Sequence, residues 1–213
     1  MSIGILSLAV LISAILAIIF RQKESTTLYS IFKPLTTLLI ISIAVLIFYK
    51  TDNTYSSIMI VALLFSLIGD IFLITDKYFL PGLASFLIAH ICFIIGFTSL
   101  YGFNFNLIPI LPLLLIGSVY YNYLRKDLKN YSIPVMVYIT VILIMNWQAI
   151  NLIISSGNQI FYALAMAAIL FSFSDAILAY NKFKKPFKFA EPLILSTYWI
   201  AIFTFTIMGL YID

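Results

Sequence analysis

Long apolar runs separated by short polar stretches make up most of this chain. Charged and turn-forming residues divide the sequence into eight apolar segments, at residues 3–20, 34–49, 57–75, 80–100, 107–124, 133–154, 159–180 and 192–212. A helix needs roughly 20 apolar residues to cross a bilayer core, and lipid offers no partner to unpaired backbone groups. The pattern therefore predicts an all-α, polytopic membrane bundle of eight transmembrane helices, with a short second span.

The composition supports this assignment and leaves no room for a second domain. Apolar residues make up 63% of the 213 residues and charged residues 9%, whereas soluble domains carry about 25% charged residues. We expect residues 1–213 to form a single integral membrane domain. The modest basic excess, 12 Lys and Arg against 8 Asp and Glu, indicates membrane topology rather than binding to nucleic acid.

The basic residues are distributed unevenly between the predicted connections. With Lys33 counted in the first connection, 11 of the 12 fall in the first, third, fifth and seventh, and only Lys50 lies elsewhere. Basic loops remain on the cytoplasmic side of a membrane. We therefore expect the odd connections inside the cell and both termini outside, a pattern typical of a bacterial plasma membrane.

Three ionisable residues lie deep within the predicted spans: Asp70 in the third, His90 in the fourth and Asp175 in the seventh. A charge in hydrocarbon is costly, so such residues normally face a bundle interior or a wet cavity and mark functional sites. A structural carboxyl bonded to nearby hydroxyls is the alternative for either aspartate alone. A neutral packing histidine is the alternative for His90.

The two aspartates occupy matching sequence contexts. Residues 70–78 and 175–183 both read D-x-x-L-x-x-[DN]-K-[YF], with an offset of 105 residues that Pro81 and Pro186 share. Spans three and seven run in the same direction, so the matching spacing predicts both carboxyls at equal depth, roughly 8–9 Å from the cytoplasmic helix ends. The two aspartates can then meet, and the chain can contain two four-helix repeats.

Polar side chains at similar depth complete the candidate site. Ser66 precedes Asp70 by four residues, Ser172 precedes Asp175 by three and Ser174 is adjacent to it, so hydroxyls can line the same helix faces. The expected supporting or substrate-binding residues are Lys33 at the mouth, Thr37, Ser66, His90, Tyr138, Ser174, Asn181 and Tyr198. One histidine cannot form a three-His zinc site, and nothing supports an Asp/Asp/His site, so we predict no metal and no cofactor.

Common catalytic motifs are absent from the sequence. It contains no G-x-S-x-G, H-E-x-x-H, C-x-x-C or P-loop pattern, so serine hydrolases, zinc proteases and nucleotide enzymes lack their usual residues here. A Ser–His–Asp triad built on His90 stays open by composition, although no local pattern singles out its serine.

Several short motifs appear together from the second predicted span to the eighth. They are K-P at 33–34 with T-T at 36–37, S-L-I-G-D at 66–70, G-L at 82–83 with Phe86, A-H at 89–90, F-S-F-S-D at 171–175 with Asn181, and T-Y at 197–198 with Ala201. With these motifs the chain resembles the YhhN-like family of lysoplasmalogenases, eight-helix membrane enzymes that hydrolyse the vinyl-ether bond of lysoplasmalogens. The resemblance implies lysophospholipid and water as partners, and fatty aldehyde and glycerophospho-ethanolamine or -choline as products.

Two carboxyls in one apolar site suit that reaction. Vinyl ethers hydrolyse by protonation of a carbon atom, which leaves an oxocarbenium ion for water to capture. Two carboxyls in a low-dielectric site do not both ionise easily, so one acts as general acid while its ionised partner stabilises the cation and activates water. Asp70 and Asp175 are the expected catalytic residues, in either order, and Lys33 or nearby loop lysines would hold the phosphate at the cytoplasmic leaflet.

A transporter or lipid-binding membrane protein is the alternative, in which the facing aspartates carry protons or bind a cation. Transporters of this size usually contain broken helices at the membrane midplane in matching repeat positions. Here the paired acids lie nearer one leaflet, and Pro109 and Pro112 have no counterpart in the other half. This arrangement favours the hydrolase.

Overall fold

The computed structural model describes residues 2–212, and within that range the chain forms eight α-helices and no strand. They are α1 (Ile3–Gln22), α2 (Thr26–Thr51), α3 (Thr54–Phe72), α4 (Phe79–Tyr101), α5 (Ile110–Leu124), α6 (Ser132–Ser156), α7 (Phe161–Phe183) and α8 (Ala190–Met208). Seven are long and apolar enough to cross a membrane, and α5 is shorter, with 15 residues. The predicted all-α, eight-helix membrane fold is confirmed.

The prediction of a short second span is wrong. Helix α2 has 26 residues and begins eight residues before Pro34, which lies inside it. Lys33 interrupts the apolar run, and hydropathy therefore predicts a loop there. Its side chain is instead buried within the bundle, 3.8 Å from an aspartate oxygen, and a lysine with a buried partner does not require a helix to end.

The turn between α2 and α3 is short and well capped. Asp52 has φ of 48°, the left-handed conformation that ends a helix, and Asn53 follows it directly. The Asn53 side chain accepts a hydrogen bond from the Ser56 backbone N–H at 2.8 Å and donates to the carbonyl oxygens of Gly209 and Ile212. One asparagine therefore starts α3 and holds the end of α8.

The two halves of the chain share their main helix neighbours. Within each half, consecutive helices pack on one another, most extensively α3 on α4 and α7 on α8. Between the halves, α2 packs on α8 and α4 packs on α6, and these two pairs are equivalent when α1–α4 are matched to α5–α8. The packing thus agrees with two four-helix repeats. Helix α5 is peripheral and packs mainly against α6.

The odd-numbered connections meet at one end of the bundle, which we call the basic end. Ion pairs join them there: Arg21 with Glu191, Lys182 with Asp76, and Lys184 with Asp127. These pairs link the end of α7 and the start of α8 to the connections after α1, α3 and α5. The basic connections therefore lie together at one end of the bundle. The cytoplasmic orientation of that end stays a prediction.

Candidate active site

Asp70 lies on the last turn of α3, and its side chain is only 1% exposed. Its Oδ2 atom accepts two hydrogen bonds, from the Thr37 hydroxyl of α2 at 2.6 Å and from the Tyr198 hydroxyl of α8 at 2.9 Å. The Lys33 ammonium lies 3.8 Å from Oδ1. Asp70, Lys33, Thr37 and Tyr198 form the Asp70 cluster, in which three donors and no acceptor face the carboxyl group.

Neighbouring aromatic residues orient these donors. Lys33 and Thr37 are four residues apart and so lie on one face of α2. The indole N–H of Trp199 donates to the Thr37 oxygen at 3.2 Å, which leaves the hydroxyl hydrogen of Thr37 directed at Asp70. Tyr29 lies beside Lys33, with the ammonium 5.8 Å from the ring centre. The donor arrangement is therefore supported by aromatic residues from α2 and α8.

Asp175 lies near the middle of α7, with its side chain 11% exposed. The Tyr138 hydroxyl of α6 donates to Asp175 Oδ2 at 3.1 Å, and His90 Nε2 of α4 lies 3.4 Å from the same oxygen. We call Asp175, His90 and Tyr138 the Asp175 cluster. The helix before each aspartate thus supplies two partners to Asp70, Lys33 and Thr37, and one to Asp175, Tyr138, and the other half of the bundle supplies one partner to each.

The backbone determines the protonation of one His90 nitrogen. Nδ1 lies 2.7 Å from the Phe86 carbonyl oxygen, and because a carbonyl only accepts, Nδ1 carries a hydrogen. Nε2 is fully buried and has no hydrogen-bond partner within the described part of the chain. A proton placed between Nε2 and Asp175 Oδ2 would give both atoms a hydrogen-bond partner. The geometry therefore suits a carboxyl–imidazole pair that shares one proton.

Two phenylalanines lie between the clusters. Phe171 packs on His90 with ring centres 4.5 Å apart, and Phe86 packs on Tyr198 at 5.6 Å. Gly69 allows this arrangement, since a Cβ atom there would lie 2.6 Å from the Phe86 ring. Hydrogen bonds within each cluster are consequently surrounded by apolar groups rather than by bulk water.

Both aspartates nevertheless line one cavity, of about 40 Å³, which we call the acid cavity. Its walls include Lys33, Asp70, Ser174, Asp175, Glu191 and Tyr198, together with Leu73 and Leu178, the leucines of the two repeated motifs. No hydrogen bond in residues 2–212 joins the two aspartates directly. The volume exceeds the 10–15 Å³ or so that one water molecule requires, so the cavity has room for a reacting atom and water.

The predicted distance of 8–9 Å from each helix end is not what the structure has, although both aspartates line this cavity. Asp70 is two residues from the end of α3, whereas Asp175 is eight residues from the end of α7. The reason is that α3 ends at Phe72 and the chain continues through a 3-10 turn at Asp76–Tyr78. In the other half, the matching residues stay helical as far as Phe183.

Three predicted supporting residues bond to the backbone instead of to a carboxyl group. Ser174 donates to the Ile194 carbonyl at 2.9 Å and Ser66 to the Ala62 carbonyl at 3.0 Å, while Asn181 accepts from the Phe187 N–H at 3.1 Å. Ser174 still lines the acid cavity. Lys33, expected at the mouth of the site, is instead buried in the cavity wall.

The sequence analysis missed Glu191, which lines the acid cavity from the first turn of α8. Its carboxylate accepts from the Tyr29 hydroxyl at 3.3 Å and pairs with Arg21 at 3.1 Å. An acidic residue directly before Pro192 is a usual signal of a helix start. The sequence therefore contains a signal that predicts Glu191 in the first turn of α8. Within residues 2–212, no group of three or more His, Cys, Asp or Glu side chains could hold a metal ion.

Comparisons with known proteins agree with the motif pattern. The sequence model of the YhhN family matches residues 28–208. Lysoplasmalogenase TMEM86B of Rattus norvegicus is 32% identical over 164 residues, and that of Homo sapiens is 31% identical over 162 residues. These alignments cover 74% and 73% of this chain, and 64% and 65% of the relatives.

A more distant relative is described as a lysoplasmalogenase homolog of Dictyostelium discoideum. It is 28% identical over 206 residues, covering 75% of this chain and 67% of the relative. The aligned chain spans just under two thirds of the length of the two mammalian relatives. No solved structure gives a significant match.

Proposed function

We propose, since this chain belongs to the YhhN family, that it is an intramembrane hydrolase of the vinyl-ether bond of lysoplasmalogens. The products would be a fatty aldehyde and glycerophospho-ethanolamine or -choline. Relatives named lysoplasmalogenase support the substrate class. The observation that carries the proposal is the acid cavity, where two buried carboxyl groups with different partners face one water-sized space.

In the first step, the Asp175 carboxyl group gives its proton to the second carbon of the alkenyl chain. The C=C electron pair forms the new C–H bond, and the first carbon becomes an oxocarbenium ion with the ether oxygen. Asp175 suits this role because His90 lies on the same oxygen and, with Nδ1 already carrying a hydrogen, can hold a further proton at Nε2.

In the second step, water attacks the first carbon while Asp70 takes one of its protons. Asp70 suits this role because three donors, one of them cationic, favour an accepting carboxylate at that position. The anion also stabilises the oxocarbenium ion before water adds. A hemiacetal results. At this point Asp175 has lost one proton to the substrate, and Asp70 has gained one from the attacking water.

Collapse of the hemiacetal restores both acids. Its hydroxyl proton passes to Asp175 as the C=O bond forms, and the bond to the glycerol oxygen breaks. Asp70 gives its proton to that leaving oxygen. The net reaction adds one water across the ether, and Tyr138, Thr37 and Tyr198 hold the two carboxyl groups in place by the hydrogen bonds described above.

The site would open to the leaflet at the basic end. The positive-inside distribution supports a cytoplasmic position for that end, in a bacterial plasma membrane. Lysines at the same end suit the phosphate of the substrate. The active site would therefore act on lipids of the inner leaflet.

Product analysis tests the proposal against the transporter alternative. Purified protein is incubated with a lysoplasmalogen and, separately, with the lysolipid in which an ester replaces the vinyl ether. Release of fatty aldehyde from the first substrate only is expected. Proton or cation flux in proteoliposomes, without aldehyde release, would contradict the hydrolase and support the transporter.

A further inference from the structure

We infer that the lysophospholipid lies along three adjoining cavities, with its chain between α5, α6 and α7 and its head group at the basic end. This inference rests on the proposed function, because it says where each part of that substrate binds. The cavities share wall residues. Glu191 lines both the acid cavity and a polar cavity at the basic end, and Asp175 and Leu178 line both the acid cavity and an apolar cleft.

The apolar cleft, here called the chain cleft, has a volume of about 200 Å³. Its walls are almost entirely hydrocarbon, and its polar groups include the Asp175 carboxyl and the Tyr138 hydroxyl of the candidate site. Along α7 its lining residues run from Ser172 to Phe183, and Asp175 lies three residues from Ser172, the lining residue farthest from the basic end. A hydrocarbon chain with its first carbons beside Asp175 and its head group at the basic end therefore leaves the cleft past Ser172.

The position of α5 gives the chain a route from the bilayer. Gly117 on α5 faces Leu143 on α6 so closely that an added Cβ would lie 2.5 Å from the leucine. The neighbouring Ile116 lines the cleft and is 63% exposed. The cleft thus reaches the lipid-facing surface beside α5, so a chain can enter sideways from the leaflet.

The polar cavity, here called the head-group cavity, has a volume of about 520 Å³. Its walls carry charges of both signs: Arg21 and Lys188 are basic, whereas Glu24 and Glu191 are acidic. A zwitterionic head group presents the complementary pair, a phosphate for the basic side chains and an ammonium for the acidic ones. This charge pattern favours a phospho-amine head group over a neutral one.

A second apolar cavity of about 320 Å³ lies between α1 and α8 and is the alternative place for the chain. It is larger than the chain cleft but shares no wall residue with the acid cavity. A chain bound there would not extend from a vinyl ether that touches Asp175. Because only the chain cleft shares wall residues with the acid cavity, we assign the hydrocarbon chain to the chain cleft.

Photo-crosslinking maps the chain directly. The probe is a lysophosphatidylethanolamine with a saturated 1-alkyl ether, which has no vinyl bond to hydrolyse, and with a diazirine at the end of its chain. After irradiation with purified protein, peptide mass spectrometry is expected to find the label near Gly117 and Leu143. Labels confined to α1 and α8, or labelling that excess unmodified lysolipid does not reduce, would overturn the inference.

Chain-length preference gives a second readout. Leu143→Trp narrows the chain cleft beside α5, whereas Ile144→Trp makes the same change at a neighbouring half-buried residue outside all three cavities. Leu143→Trp is expected to lower the ratio of kcat/KM for long-chain over short-chain substrate about tenfold. An unchanged ratio, or the same change in Ile144→Trp, would contradict the assignment.

The head-group cavity is tested with the double variant Arg21→Gln/Lys188→Gln. It is expected to raise KM for lysoplasmalogen about fivefold, a value suited to exposed charges, and to leave KM for the 1-alkenylglycerol without phosphate unchanged. Equal effects on both substrates would contradict phosphate binding there.

These results separate the binding path from the proposed reaction. Label in the chain cleft without aldehyde release from the vinyl-ether substrate would support the path and refute the hydrolase. Aldehyde release with label between α1 and α8 would refute the path and leave the hydrolase standing.

Discussion

The Asp70 and Asp175 clusters occupy equivalent places in the two halves of the bundle, yet they surround their carboxyl groups with different partners. Tyr138 lies 105 residues after Lys33, the same offset that separates the aspartates, and each of the two contacts the aspartate of its own half. At equivalent positions, a lysine thus faces one acid and a tyrosine the other. The second partner also differs, since Tyr198 donates to Asp70 and His90 lies against Asp175.

This difference shows how a duplicated scaffold can supply two unlike groups to one cavity. A cation and two hydroxyls around Asp70 favour an acceptor, and an imidazole beside Asp175 favours a group that exchanges a proton. A symmetric pair of aspartates would present the substrate with two identical groups. The proposed reaction needs one donor and one anion, and the unequal partners provide them without a third acidic residue.

The largest expected effect comes from removing either acid. Asp70→Asn and Asp175→Asn should each lower kcat for aldehyde release by about a thousandfold or more, since each removes a proton-transfer group. Asp76→Asn is the matched control, because Asp76 belongs to the same repeated motif but is exposed and paired with Lys182 at the basic end. Near-normal turnover in either folded cavity variant would contradict the two-acid account.

Replacing His90 tests the proton-sharing half of the comparison. His90→Gln should lower kcat about a hundredfold, because the Asp175 carboxyl group then keeps only the Tyr138 hydrogen bond and loses the imidazole that lies against it. Turnover and thermal unfolding are measured together, with Asp76→Asn as reference. A folded His90 variant with unchanged turnover would contradict a role for His90 in proton transfer.

Replacing Lys33 tests the Asp70 cluster, and the main readout is the stability of the protein. Lys33→Met leaves the buried Asp70 carboxyl without its cation, and should reduce the free energy of unfolding by about 3 kcal/mol and kcat about tenfold. Adding Asp70→Asn should recover much of the stability but none of the activity. Thermal unfolding and aldehyde release check the two effects. Equal stability of Lys33→Met and the parent would show that Lys33 and Asp70 are not coupled.

The smallest effects are expected at the predicted residues that bond to the backbone. Ser174→Ala and Asn181→Ala each remove one hydrogen bond, which corresponds to about 1 kcal/mol of stability, and should leave kcat within about twofold. Thermal unfolding and turnover are measured side by side. A loss of turnover at Ser174 comparable to that of Asp175→Asn would mean that the serine takes part in the chemistry.

Hydropathy was sufficient to predict the eight helices, because lipid imposes one simple rule on spanning segments. The same rule failed at Lys33. Hydropathy treats lysine as a loop residue, and its partner, Asp70, lies 37 residues away in the sequence. The local sequence around Lys33 does not reveal that long-range ion pair, so the start of α2 was placed too late.

The three ionisable residues at the centre of the candidate site could be predicted, but their hydrogen-bond partners could not. The scarcity of ionisable residues within spans singled out Asp70, His90 and Asp175, and all three contribute to the two clusters. Which donor faces which carboxyl group depends on how α2 packs on α8 and α4 on α6. The division into an accepting and a proton-sharing aspartate follows from that packing and is invisible in the motif, which is the same at both positions.

Hydrolysis of lysoplasmalogen in D2O tests the central claim, proton transfer to carbon, most directly. The account predicts that the released fatty aldehyde carries one deuterium on the carbon next to the carbonyl, and that Asp175→Asn abolishes its formation. Aldehyde released by the parent protein without that deuterium would contradict the account.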